Sequence, residues 1–129
     1  MKPPFRADQV GSLLRPKELA EARRNLKGEK LREVEDRCIR DAIARQEAIG
    51  LQSITDGEYR RAWWHFDFLG ELEGVDLVEV DQGIQFAGVT TKAQAPRVMS
   101  RLDFADHPML AHFRYLREHV TKTPKMTIP

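Results

Sequence analysis

The stretch from Glu29 to Ile49 constrains this chain more than any other. Leu31, Val34, Cys38, Ala42 and Ile49 recur at three-, four- and seven-residue steps, and Ile39 and Ile43 widen the stripe. Glutamate, aspartate and arginine fill the other face. That spacing predicts an amphipathic helix lying on a core. Gly50 stands where a left-handed stop is wanted, with Leu51 placed to fold back on the last turn. A β-prone run, Ser53 to Thr55, follows at once. Strand, helix and strand in this rhythm predict a parallel βαβ unit with a right-handed crossover.

The rest of the chain is read around that unit. Phe5 to Val10 is taken as a strand, Gly11 to Pro16 as a loop and Lys17 to Leu26 as a helix that Gly28 ends. Pro16 suits the first turn of that helix. Farther on, Val75–Val80 and Ile84–Val89 flank Asp81-Gln82-Gly83, the pattern of a β-hairpin. Pro96 to Leu102 reads as another extended segment and Pro108 to Val120 as a helix through Met109, Leu110, Phe113 and Leu116. Thr123 to Pro129 reads as a strand just beginning. The expected fold class is therefore α/β. It corresponds to the first strands and helices of a (β/α)8 barrel, incomplete at 129 residues and interrupted by a hairpin insertion. A closed barrel takes ~250 residues.

Composition removes several classes of function. There are 21 basic and 20 acidic residues, a net charge of +1, and they are interspersed. This leaves no electrostatic footprint for nucleic acid. No apolar run approaches the ~20 residues of a membrane span. The amino-terminal residues lack the apolar core of a secretory signal. A single cysteine, Cys38, excludes an internal disulfide framework and suits a reducing, cytoplasmic compartment. On the apolar stripe it reads as a buried small hydrophobe.

Chemistry concentrates in Thr55-Asp56-Gly57-Glu58-Tyr59-Arg60-Arg61, followed by Ala62-Trp63-Trp64-His65-Phe66. Charged residues on a loop after a short strand are how α/β barrels present reacting groups. Asp-Gly is equally a plain turn dipeptide, and Gly11-Ser12 equally helix-entry chemistry. Trp63, Trp64 and Phe66 read first as packing, with stacking on a flat ligand as the functional alternative. Arg61, Trp63, Trp64 and His65 are candidate rim residues. Among His107, His112 and His119 only the last two share a helix face. Two turns apart, they do not make a close metal pair.

Phe5-Arg6-Ala7-Asp8-Gln9-Val10-Gly11-Ser12, a helix ending Arg45-Gln46-Glu47-Ala48-Ile49-Gly50-Leu51, and Thr55-Asp56-Gly57-Glu58-Tyr59-Arg60-Arg61 occur in that order. Together they resemble the catalytic barrel of cobalamin-independent methionine synthases, nearest to the shorter, single-barrel relatives. The resemblance covers nearly the whole chain but only the amino-terminal part of the family's barrel. It implies transfer of a methyl group from a methylated folate, or a corrinoid donor, to homocysteine thiolate held on zinc, giving methionine. Gly11 and Ser12 would receive the amino-acid carboxylate, and Glu58 the ammonium. The zinc ligands, a histidine and cysteines, would lie beyond Pro129, so no catalytic or metal-binding residue is assigned here. Longer family members carry a histidine where this chain has Asp56, an acid placed to pair with Arg60 or Arg61. Two other readings stay open: a same-fold alkyltransferase acting on coenzyme M, and a truncated module that binds without catalysis.

Overall fold

The computed structural model describes residues 9–81, 83, 88, 93–104 and 106–129. In order these form α1 (Lys17–Asn25), α2 (Gly28–Ala48), β1 (Ser53–Ile54), α3 (Phe66–Leu69), β2 (Glu73–Glu79), β3 (Gln94–Asp103), α4 (Pro108–His119) and β4 (Thr123–Pro124). The chain divides into two units, one made of Met1–Arg61 with His112–Thr127, the other of Ala62–Ala111 with Ile128–Pro129.

The first unit is built on α2. Its apolar stripe delivers Cys38, Ile39, Ala42 and Ile43 to a core shared with Leu19 of α1, Ile54 of β1, Tyr59 and Leu116 of α4. Leu19, Ile39, Ile54 and Leu116 are fully buried. The helix stops as the sequence predicts. Gly50 has φ +84°, its N–H donates to the Glu47 carbonyl (3.0 Å), and the Leu51 N–H reaches back to Gln46 (3.1 Å). This paired closure satisfies the last carbonyls and folds Leu51 onto the core. The stripe ends sooner than its spacing suggests. Ile49 is 76 % exposed, because Gly50 turns the chain away, and Gln46 takes the last buried position.

β1 pairs in parallel with β4, Ser53 opposite Thr123 and Ile54 opposite Pro124. The Thr123 N–H donates to Gln52 (3.1 Å) and the Lys125 N–H to Ile54 (2.8 Å). Parallel pairing is therefore present, and the terminal strand has a partner. Of the amino-terminal strand expected at 5–10, residues 5–8 lie outside the described residues, and Gln9 and Val10 have no regular structure. Gly28 does not end α1. Leu26, in extended conformation, closes that helix with its N–H on Ala22 (2.7 Å), and Gly28, at φ +58°, opens α2. Among the described residues no barrel closes; the sheet of this unit has two strands.

In the second unit β2 runs antiparallel to β3, with Val75 opposite Val98 and Leu77 opposite Pro96, and an irregularity between Glu73 and Val75. A hairpin is thus present, but its returning strand is Gln94–Asp103. The partner expected at 84–89 falls almost wholly outside the described residues. His107 starts α4: its Nδ1 accepts the Met109 N–H (3.1 Å), so Nε2 carries the proton given to the Phe68 carbonyl (3.0 Å). Pro108 occupies the first helical position, which needs no N–H. No helix among the described residues is long and apolar enough to cross a membrane.

Candidate functional site

Two loops of the first unit are stitched together, and they are the two that the sequence singles out. The Thr55 hydroxyl donates to the Gly11 carbonyl (2.9 Å) and accepts the Gly57 N–H (3.1 Å). The Leu13 N–H donates to the Gly57 carbonyl (3.0 Å). Arg15 spans the same gap, donating to the carbonyls of Glu58 (2.8 Å) and Arg61 (3.0 Å), and the Tyr59 hydroxyl returns a bond to Leu14 (3.2 Å). Gly11 is required at this crossing. It has φ +124°, and a Cβ there would lie 2.7 Å from Thr127 Oγ1 and 3.3 Å from Thr55 Cγ2. Ser12, the next residue, is exposed.

The loop after β1 has an unusual backbone. Gly57 (φ +71°) is followed by Glu58 (φ +57°), among the described residues the one side-chain-bearing position in the left-handed region. Such a conformation costs a residue with a Cβ about 1–2 kcal/mol. Asp56 helps to hold it, its Oδ1 accepting the Glu58 N–H (2.9 Å). Asp56 does not pair with either arginine as its sequence position suggested. Arg60 turns away to Glu35 (3.2 Å) and Asp36, with its guanidinium over the Tyr115 ring (5.0 Å). Arg61 Nη1 lies 3.4 Å from Glu58 Oε1, and its Nη2 donates to the Thr127 carbonyl.

Asp56, Glu58 and Arg61 are all buried, at 6, 7 and 7 % exposure. A buried carboxylate needs charge or hydrogen-bond compensation. Glu58 has Arg61 for charge, while the 3.4 Å separation is too long for a strong bond. Glu58 thus lies beside Arg61, with Gly11-Ser12 on the adjoining loop. Trp63, Trp64 and His65 fall in the second unit. Trp63 stacks on Phe66 at 6.1 Å, and the His65 ring contacts Trp64 and Phe66 at about 4 Å. Asp67 caps this turn by accepting the N–H groups of Ala62 and Trp63. Phe66 and His65 are buried in this cluster, whereas Trp64 is 51 % exposed.

No family model matches the chain. Over 99 % of its length it is 48 % identical to the uncharacterized protein YxjG of Bacillus subtilis and 46 % identical to YxjH of the same organism. The crystal structure of a candidate vitamin-B12-independent methionine synthase from Listeria monocytogenes superposes on 98 % of the chain, with a TM-score of 0.76 and 36 % identity. The chain shares the mixed α/β fold of the matching part of that structure. A B12-independent methionine synthase from Shewanella sp. W3-18-1, solved with selenomethionine, agrees in fold over 81 % of the chain, with a TM-score of 0.61 at 24 % identity. The chain spans only about a third of these proteins, 35 and 36 % of the two Bacillus proteins and 36 and 30 % of the two solved structures.

The zinc that the resemblance implies finds no ligand set among the described residues. Among the described residues no three His, Cys, Asp or Glu side chains converge to hold a metal. Cys38 is buried, as its place on the stripe predicts, and donates to Glu18 (3.3 Å). Burial, reinforced by the Glu18 carboxylate, pushes its thiol up to about 11, the opposite of a metal-binding thiolate. His107 spends both ring nitrogens on the backbone. The sequence did not mark out Gln46 or Arg15, nor the bridging role of Thr55, which hold the two loops in place. Gln46 left one trace, a polar residue four positions beyond Ala42 on the buried stripe.

Proposed function

We propose that residues 1–129 form part of a methionine-synthase-like (β/α)8 barrel and hold the amino-acid end of homocysteine while its sulfur is methylated. The observation that carries this reading is the pairing of the Gly11-Ser12 loop with the Asp56-Gly57-Glu58 loop through Thr55, Leu13 and Arg15. A zwitterion needs donors at one end and an anion at the other. The Gly11-Ser12 backbone and hydroxyl take the carboxylate, and Glu58 takes the ammonium. Asp56 fixes the Glu58 backbone rather than touching substrate. The 36 % identity to the Listeria protein across almost the whole chain supports a related methyltransferase.

These residues bind and orient; they do not perform the transfer. Fixing one reactant against the other removes translational and rotational freedom from the reaction barrier. Zinc, which would supply thiolate activation, must be held by residues other than those described. The methyl donor is a methylated folate or a corrinoid.

An alkyltransferase acting on coenzyme M is the second reading, and the Arg61 guanidinium in the site favours it, since a sulfonate requires cations. Titrating the isotope-labelled chain with L-methionine, L-homocysteine and coenzyme M separates the two by amide NMR. Amino acids are expected to shift Gly11, Ser12 and Glu58, and Glu58→Gln to abolish the response. Shifts with coenzyme M alone would move the assignment to the second reading. No response to any of the three would leave a module that binds something else.

A further inference from the structure

We infer that Gln46, on the last turn of α2, is the positioning residue that sets the geometry of both substrate loops. The inference rests on the amino-acid site proposed above. Gln46 is 5 % exposed, and its carboxamide uses its full bonding capacity. Nε2 donates to the carbonyls of Thr55 (2.8 Å) and Ala42 (3.1 Å). Oε1 accepts the Thr55 N–H (3.0 Å) and the Gln9 side-chain amide (2.9 Å). Thr55 follows directly on β1, and Gln46 gives its peptide the two bonds that a neighbouring strand would give. The orientation of the amide is fixed, because a flipped carboxamide would set donor against donor and acceptor against acceptor.

Thr55, held by its backbone, passes the constraint on through its side chain. Its hydroxyl donates to Gly11 on one loop and accepts from Gly57 on the other. One residue of a rigid helix thereby determines where the proposed carboxylate and ammonium contacts stand relative to each other. Glutamate cannot substitute, because its carboxylate would face the Ala42 and Thr55 carbonyls with no proton to give. Leucine fills the volume and leaves the Thr55 N–H and C=O buried without partners.

The test uses Gln46→Leu, Gln46→Glu, Thr55→Val, Thr55→Ser and the exposed control Ile49→Ala. Two measurements are made on each: the amide NMR positions of Gly11, Gly57 and Glu58 without ligand, and the affinity for L-methionine. Both Gln46 variants and Thr55→Val are expected to move the amides and weaken binding by about tenfold or more, the scale of one good hydrogen bond. Thr55→Ser keeps the hydroxyl and retains both properties, as does Ile49→Ala. Unmoved amides and unchanged affinity in Gln46→Leu overturn the inference. If the native chain binds no L-methionine, the amino-acid reading falls and the amide positions alone decide. Movement in Gln46→Leu then supports loop positioning, and its absence overturns it. Should the Gln46 variants fail to fold by circular dichroism, Thr55→Val decides on the same terms.

Discussion

The two units place their apolar side chains in opposite ways. In the first, eight residues from four elements and the site loop close over one another around α2. It also buries charge, with Glu35 held between Arg23 (2.8 Å) and Arg60 (3.2 Å). In the second, Val98, Met99, Leu102 and Phe104 are about half exposed or more. Its burial is limited to residues such as Phe66, His107 and Met109. A site that must hold two loops to within a fraction of an ångström belongs on the first kind of scaffold, where packing and second-layer hydrogen bonds lock each rotamer. The candidate site is there.

The contrast is most easily broken at Ile39. Ile39→Ala removes a fully buried side chain from the centre of the first unit and should cost about 3 kcal/mol, measured by urea denaturation. A loss below about 1 kcal/mol would mean that this core is far looser than its burial implies.

Alkaline pH probes the same unit more gently. Burial and Glu18 raise the Cys38 thiol to about 11 from an ordinary value of 9.0. Above that ordinary value the unfolded chain binds fewer protons than the folded one, so stability falls as pH rises. The loss is expected between about pH 9 and 11. Tyr59, raised chiefly by burial from an ordinary value of 10.0, adds a loss of the same sign once the pH passes that value. Urea midpoints followed across this range should drop in the native chain and drop less in Cys38→Ala. Equal slopes would remove Cys38 as the cause. The smallest effect is expected at the hairpin, where Val98→Thr should change stability by no more than about 0.5 kcal/mol. A larger loss would show that the exposed strand face is covered in solution.

What could be read from the sequence follows the same division. The α2 stripe, its Gly50 stop and the start of β1 were legible because each depends on neighbours a few residues apart. In the hairpin the extended segments Val75–Val80 and Pro96–Leu102 were legible, but not that they pair with each other. Its returning strand depends on which later segment pairs with β2, and neither periodicity nor turn chemistry specifies that choice. Gly28 was misread because a glycine between two helices can end one or open the next. Gln46 and Glu35 were passed over for a different reason. A polar residue on a helix looks solvated until its partners, Thr55 and Gln9 for one and Arg23 and Arg60 for the other, are brought against it. The Gly11-Ser12 and Asp56-Gly57-Glu58 loops do meet, whereas the Asp56 pairing expected there gave way to a bond with the Glu58 backbone.

The left-handed backbone at Glu58 sets the chain's torsional preference against the ammonium contact proposed for this residue at a single codon. Glycine is the residue that this torsion favours, so replacing Glu58 with glycine relieves the chain even as it deletes the carboxylate. In a library randomised at this codon and sorted only for folded protein, the share of glycine should report how far backbone relief offsets the loss of the partner that buried Arg61 has in Glu58. The same library sorted for retention of an amino acid should keep glutamate. The distance between those two populations would measure how strongly selection for binding opposes the backbone's own preference.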